Sequence, residues 1–458
     1  MPLTPQNLVV FAHLESGWAP AGRLTLNEED TQVVASSFAY GTRYIERPDA
    51  LEVDPVSLSL NEPDQARNHV LVPANGLPLF GGIRDAAPDS WGRRVIEAKL
   101  KAPANTLPES EYLLHAGSDR VGALDVRREL TDEPRPGLYK WESLQYLQDA
   151  AARIEEGGTI PAELEVIFDG GTALGGARPK ASVRDEDHGL WLAKFTARRD
   201  AFSIPAVEKA TLDLARRCEL MVPEVRTVDV AGQEVMLIRR FDRYWALPGD
   251  SHQSLPTLID TRPGRSGSAD GAGGEARIEK RLHFISGLTL LGCDESESPT
   301  KSYADLAQAA RTYCHASVIR SDNRELFTRM VFNIFVSNND DHLRNHGYVF
   351  DPALRGWRLS PLYDVLPTPS LASERLLHLG VGHEGRLATL DNAMSGRDMF
   401  TLSRATAGEI IGRVWSVVRG WKTGFEADGV SAQDIDKAGT AFRHIDDIST
   451  AELRKALP

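Results

Sequence analysis

Residues 332–364 read FNIFVSNNDDHLRNHGYVFDPALRGWRLSPLYD. An apolar run opens the segment. A polar loop follows with Asp340 and Asn345 five residues apart, and a two-strand hairpin around PALRG leads to an isolated Asp364. Leu326, Met330, Ile334 and Phe335 have the spacing of a buried helix that would hold the loop rigidly. Phosphoryl transfer needs parts in this order: a carboxylate facing the attacking hydroxyl, an Asn oxygen for Mg²⁺, and a second Asp holding Mg²⁺ against nucleotide phosphates. Mg²⁺ is a hard cation that prefers oxygen ligands. Asp340 is therefore expected at the substrate hydroxyl, with Asp341 as its adjacent rival, and Asn345 and Asp364 as metal ligands. His342 is expected to brace the loop by hydrogen bonding.

Upstream, Gly170, Gly171, Gly175 and Gly176 in DGGTALGGARPKASV offer backbone that can approach phosphate oxygens without a Cβ in the way. No Gly-Lys-Ser/Thr follows, which excludes a Walker A loop. Strand-like pieces at 180–184 and 189–196 come next, and the second carries Lys194 inside WLAKF. A Lys in an apolar strand needs an anionic partner, because burying an unpaired ammonium is costly. Nucleotide phosphates or a carboxylate would serve. Glu208 lies early on a helix opened by Ser203 and Pro205, where it can pair with Lys194. The segment IRRFDR, 238–243, falls where a hinge between two lobes would lie. Its backbone, with Phe241 and Asp242, is expected at the nucleotide, the Asp242 carboxylate at the ribose.

The 458 residues exceed one compact core, and the net charge of −13 argues against non-specific nucleic-acid binding. Cys218, Cys293 and Cys314 form neither a zinc pattern nor a disulfide framework, as expected in a reducing cytoplasm. No stretch approaches the ~18 apolar residues of a membrane span, and no basic region precedes the short apolar run near the N-terminus. Four regions are expected. Residues 1–130 read as a mixed α/β unit with strands in LVVFAHL, GRLTL and SSFAYGTRYI and a helix at PDSWGRRVIEAKL; its expected role is structural or partner-binding. Residues 131–246 hold the Gly-rich stretch and Lys194. Residues 247–280, with the tract RSGSADGAGGEA, read as a loop or linker. Residues 281–458 are mostly helical, with helices near 302–312, 324–336, 408–421 and 432–444. His378 and His383 lack metal-ligand spacing and are expected to be structural or regulatory.

These motifs resemble the HipA family of bacterial serine/threonine kinases, toxins of type II toxin–antitoxin systems, along nearly the whole chain. GGARPK resembles the family's phosphate-loop signature, WLAKF its ATP-lysine strand and IRRFDR its hinge. NDDHLRN resembles its catalytic loop, WRLSPLYDV its metal-binding segment, and FAYGTRYI with PDSWGR its N-terminal subdomain. The resemblance implies an α+β, two-lobed protein-kinase-like fold with a mixed α/β N-terminal subdomain and a mostly helical C-lobe. It implies ATP and Mg²⁺, with Asp340 catalytic, Asn345 and Asp364 on the metal, and Lys194 on the phosphates. Gly175, Gly176, Phe241, Asp242 and His342 would surround the nucleotide. It further implies a protein substrate (for some members an aminoacyl-tRNA synthetase), a HipB-like helix-turn-helix antitoxin, DNA met only through that antitoxin, and a bacterial cytoplasm. One departure stands out. Ala173, with Thr172 beside it, occupies the position of the best-known autophosphorylated Ser, so that Thr172 or Ser182 substitutes for it or the mechanism is absent. Two other readings compete: a small-molecule phosphotransferase, and a catalytically weak antitoxin-binding modulator of transcription. Retention of Lys194, Asp340, Asn345 and Asp364 together argues against the second.

Overall fold

The computed structural model describes residues 5–67, 69–137, 143–158, 176–197, 200–247, 253–260 and 277–457. The first sheet has the order β3-β2-β1-β4, from β1 (Gln6–Leu14), β2 (Gly17–Glu29), β3 (Gln32–Tyr40) and β4 (Leu124–Arg127). Leu8, Val10, Ala12, Leu24, Leu26 and Phe38 form one core with Phe80 and Ile83, the period-two pattern of a sheet covered on one face. The strand expected over SSFAYGTRYI stops at Tyr40, and Thr42–Ile45 is a helical turn. Tyr44 stacks on Tyr40 with ring centres 5.9 Å apart and donates its hydroxyl to the Leu51 carbonyl. A continued strand would separate positions 40 and 44 by about 13 Å.

The helix expected in PDSWGRRVIEAKL is α1 (Ser90–Leu100), opened by the Asp89 side chain and ended by Lys101 at φ 54°. Its buried face does not join the first sheet. Trp91 and Val95 share a core with Leu147 and Ala151 of α2 (Leu144–Glu155) and with Val183, Trp191 and Ala193 of a second sheet. That sheet runs β5-β6-β8-β7, from β5 (Lys180–Arg184), β6 (Leu190–Lys194), β7 (Val225–Val230) and β8 (Gln233–Arg239). Against it packs α3 (Ile204–Arg217), capped by Ser203, with Val207, Ala210, Leu214 and the following Cys218 all buried as their spacing suggests. Ala231 (φ 53°) and Gly232 (φ 80°) turn β7 into β8, the two positive values a tight hairpin requires.

The described parts of the 247–280 region carry regular structure and core contacts. β9 (Arg243–Ala246) pairs with β10 (Ile278–Arg281), and Leu255 and Leu258 are buried with Tyr244, Leu282 and Val349. The RSGSADGAGGEA tract lies outside the described residues. Beyond it, β11 (Phe284–Ser286), β12 (Gly347–Asp351) and β13 (Gly356–Leu359) form a small sheet among helices α4 (Tyr303–Tyr313), α5 (Ile319–Val336) and α6 (Arg404–Val418). A reciprocal Ser302–Asp305 capping box opens α4. Helix α5 starts earlier than expected, and every residue from Leu326 to Val336 is buried. A helix enclosed on all sides shows no single apolar stripe, which is why its polar first half was hard to include. The helix expected over 408–421 is α6 followed after Gly420 by a separate Trp421–Ala427. The one expected over 432–444 is only Ala432–Ala438, because the chain then turns so that the Arg443 amide meets the Phe335 carbonyl at 2.8 Å. Among the described residues no helix is long and apolar enough to cross a membrane.

Candidate active site

Helix α5 ends at Ser337, whose φ of 50° turns the chain sharply into the polar loop. Asn345, on a short turn Leu343–Asn345, donates its Nδ2 to the Asp340 carbonyl at 2.8 Å. That bond fixes the step between the two residues and leaves the Asn345 Oδ1 without a donor among the described residues. The Asp340 side chain is 77% exposed, with the His342 ring 3.9 Å away. Partial burial still raises its carboxyl somewhat, against the pull of His342 and with help from Asp364. Asp341 is opposite in character and only 1% exposed. Its Oδ2 accepts from the Tyr303 hydroxyl at 2.6 Å and its Oδ1 from the His378 amide at 2.7 Å. Asn333 in turn donates to the Tyr303 oxygen at 2.9 Å. Asp341 therefore ties the loop to α4, α5 and the strand-like segment at 378, while the Asp340 carboxylate is left open to solvent. His378 makes structural contacts: its Nε2 lies 3.0 Å from the Ser298 hydroxyl and its ring meets the His342 ring edge-on.

Burial pushes the Asp341 carboxyl up to about 6, although the Tyr303 and His378 hydrogen bonds oppose the rise. A carboxyl raised in this way holds its proton more tightly in the folded than in the unfolded chain. Its stabilising contribution is complete below the ordinary Asp range and is lost as pH rises through about 6. Asp341→Asn lacks that dependence. Denaturant melts should show the wild-type margin over Asp341→Asn larger near pH 5 than near pH 7.5, by on the order of 1 kcal/mol. Equal margins at both pH values would contradict this placement.

Lys194 faces Lys180 across the β5–β6 pair. Its Nζ lies 2.5 Å from Glu208 Oε1 on α3 and 2.8 Å from Asp364 Oδ1. Burial disfavours the ammonium, but Asp364 and Glu208 outweigh it and hold Lys194 well above the usual Lys range. Burial likewise would raise Asp364, yet the Lys194 and Lys180 ammoniums hold it far below the usual carboxylate range. Asp364 sits at φ 57°, a left-handed conformation that costs a non-glycine residue energy. Its side chain remains 40% exposed, so the carboxylate is accessible as well as paired.

A pocket is lined by the β5-β6-β8-β7 sheet, by β11 and by the loops around His342 and Tyr363. Val121, Leu192, Ile238, Phe241, Phe284 and Tyr363 supply apolar wall, while Gly176, Lys180, Lys194, His342, Asn345 and Asp364 supply the polar edge. Phe241 stacks on Tyr363 with centres 5.7 Å apart. An apolar wall beside convergent charges suits an aromatic base carrying phosphates. Gly176 has φ 96°, a backbone conformation that strains any residue with a Cβ. Gly175, like Gly170, Gly171, Thr172 and Ala173, lies outside the described residues.

Two expectations need correction. Asp242 lines this pocket, but its carboxylate is 2% exposed and enclosed by Arg240 Nε and Arg243 Nη1, each at 2.7 Å, and by the Gly122 amide at 2.7 Å. It anchors the hinge to the N-terminal unit, and a ribose contact by this carboxylate does not fit. Ser182, one of the substitutes, is 3% exposed within β5, so its hydroxyl is enclosed in this fold. Other pocket residues escaped the sequence reading. Burial lowers Lys180 to about 8, against the pull of Asp364; the argument applied to Lys194 in its apolar strand would have found it. Asp85, Ala87 and Asp89 reach the pocket from the N-terminal unit, where no local pattern marks them.

Residues 172–421, more than half of the chain, match the family model of the HipA-like C-terminal domain. "Putative kinase Y4dM" of Sinorhizobium fredii is 25% identical over 407 residues, covering 81% of this chain and 80% of its own length. A "Putative kinase" of Haemophilus influenzae is 25% identical over 226 residues, 46% of this chain and 57% of that protein. Among solved structures, HipA of Shewanella oneidensis, in a complex with HipB and operator DNA, matches with a TM-score of 0.61 at 15% identity, over 95% of this chain and 94% of that one. The fold is thus the expected two-lobed, kinase-like α+β arrangement. The matched region spans Lys194, Asp340, Asn345 and Asp364, and the chain belongs to the HipA-like family.

Proposed function

We propose that this chain is an ATP- and Mg²⁺-dependent protein kinase that transfers the γ-phosphate to a Ser or Thr hydroxyl. The observation that carries the reading is Lys194, 2.5 Å from Glu208 and 2.8 Å from Asp364, across a pocket edged by Asn345 of the Asp340 loop. Asp340 accepts the proton of the attacking hydroxyl; its carboxylate is open and its backbone is fixed by Asn345. Glu208 steadies Lys194 for the phosphates, and Lys180 adds a second ammonium beside it. The Asn345 Oδ1 and the Asp364 carboxylate are the hard oxygen donors that would hold Mg²⁺, which when bound neutralises phosphate charge. The apolar wall takes the base. Positioning and electrostatics suffice, because phosphoryl transfer asks little covalent chemistry of the protein.

The reading extends to a partner. The Shewanella HipA structure holds HipB and operator DNA, and a small helix-turn-helix antitoxin is the matching restraint here. With a net charge of −13, this chain would meet DNA through that partner. The test is transfer from γ-labelled ATP in a lysate of the source bacterium, followed by acid hydrolysis of the labelled protein. Label on phosphoserine or phosphothreonine is expected. Label confined to a small molecule, or no transfer, overturns the proposal.

A further inference from the structure

We propose that Asp89, in the N-terminal unit, is a positioning residue of the nucleotide site, fixing the Gly176 amide and through it Lys180. This rests on reading the pocket as an ATP site. Asp89 stands at the N-cap of α1, where its Oδ1 accepts from the Ser90 amide at 2.8 Å. Capping needs only one oxygen, and Ser, Thr or Asn would supply it. The second oxygen leaves the helix altogether: Oδ2 accepts from the Gly176 amide at 2.6 Å. The same helix end holds the following residues twice more. The Trp91 amide donates to the Gly176 carbonyl at 3.3 Å, and Trp91 Nε1 donates to the Lys180 carbonyl at 2.8 Å.

The clamp is stiff because Trp91 is 2% exposed, in one core with Trp191 and Ala193 of the sheet that carries Lys194. It is also charged. Burial would raise the Asp89 carboxyl, but Arg344 of the catalytic loop, the Gly176 amide and Lys180 bring it below its ordinary value. Asp89 lines the same pocket as Lys180, Lys194 and Asp364. A carboxylate from the N-terminal unit thus shares the pocket with a cation of the catalytic loop and a cation of the phosphate edge. Whatever shifts the start of α1 shifts Gly176, so the unit expected to be merely structural or partner-binding is coupled to nucleotide affinity.

Asp89→Ser and Asp89→Asn each keep a capping oxygen and lose the paired acceptor and the charge. The expected result is a rise of about tenfold in KM for ATP and in Kd for MgADP, the loss of one charge-assisted hydrogen bond. The same variants should change kcat little and shift the nucleotide-free melting temperature by no more than about 2 °C. If the wild type binds no nucleotide, the ATP-site reading fails before this inference is reached. If the wild type binds and both variants bind equally well, the inference is overturned. A fall in kcat and melting temperature with KM unchanged also overturns it, since that marks a structural cap alone.

Discussion

Replacing Asp340 with Asn should slow phosphate transfer by about 10²- to 10⁴-fold while leaving nucleotide affinity and melting temperature close to wild type. The reason lies in what the side chain does not do. It is 77% exposed, and the loop is held instead by the Asp340 carbonyl on Asn345 and by Asp341 on Tyr303 and His378. Removing the charge therefore removes a proton acceptor and little else. Asp341→Asn should behave in the reverse sense, changing stability and its pH dependence more than the chemical step. A transfer rate near wild type in Asp340→Asn would place the base elsewhere.

Lys194→Met should lower kcat/KM by about 10²- to 10³-fold, the scale of losing one preorganised charge at a reacting oxyanion. It should also destabilise the fold. Glu208 is 3% exposed, and removing Lys194 takes away its hydrogen-bonded counter-charge, which typically costs about 3–5 kcal/mol. Combining Lys194→Met with Glu208→Gln should recover much of that stability and none of the activity, because Gln removes the charge that has lost its partner. Lys194→Arg should rescue poorly, since a planar fork does not replace a compact ammonium between two carboxylates. A double variant no more stable than Lys194→Met would mean that the pair does not carry this energy.

The loop half of the candidate site was legible because its residues follow one another at short spacings. Asp340 and Asn345 lie on one loop, and Asp364 follows a hairpin that the structure contains as β12 and β13. Lys194 could be read because a Lys in an apolar strand demands a partner, and that partner proved to be Glu208 together with Asp364. The choice between Asp340 and Asp341 was not legible. It depends on Tyr303 and His378, which lie far from the loop in sequence and meet Asp341 only in the fold. Asp242 misled for the same reason, since the Gly122 amide that helps hold it inward comes from the N-terminal unit. PDSWGR revealed its helix start but not its reach toward Gly176, because capping accounts for only one Asp89 oxygen.

The most direct test of the proposed ATP site is calorimetric titration of ATP into the full chain with and without Mg²⁺, for the wild type and for Asp364→Asn. The site assigned to Lys194, Asn345 and Asp364 predicts wild-type binding that Mg²⁺ strengthens, and an Asp364→Asn protein that stays folded but no longer responds to the metal. Binding indifferent to Mg²⁺ in the wild type, or an Asp364→Asn response equal to wild type, would contradict it.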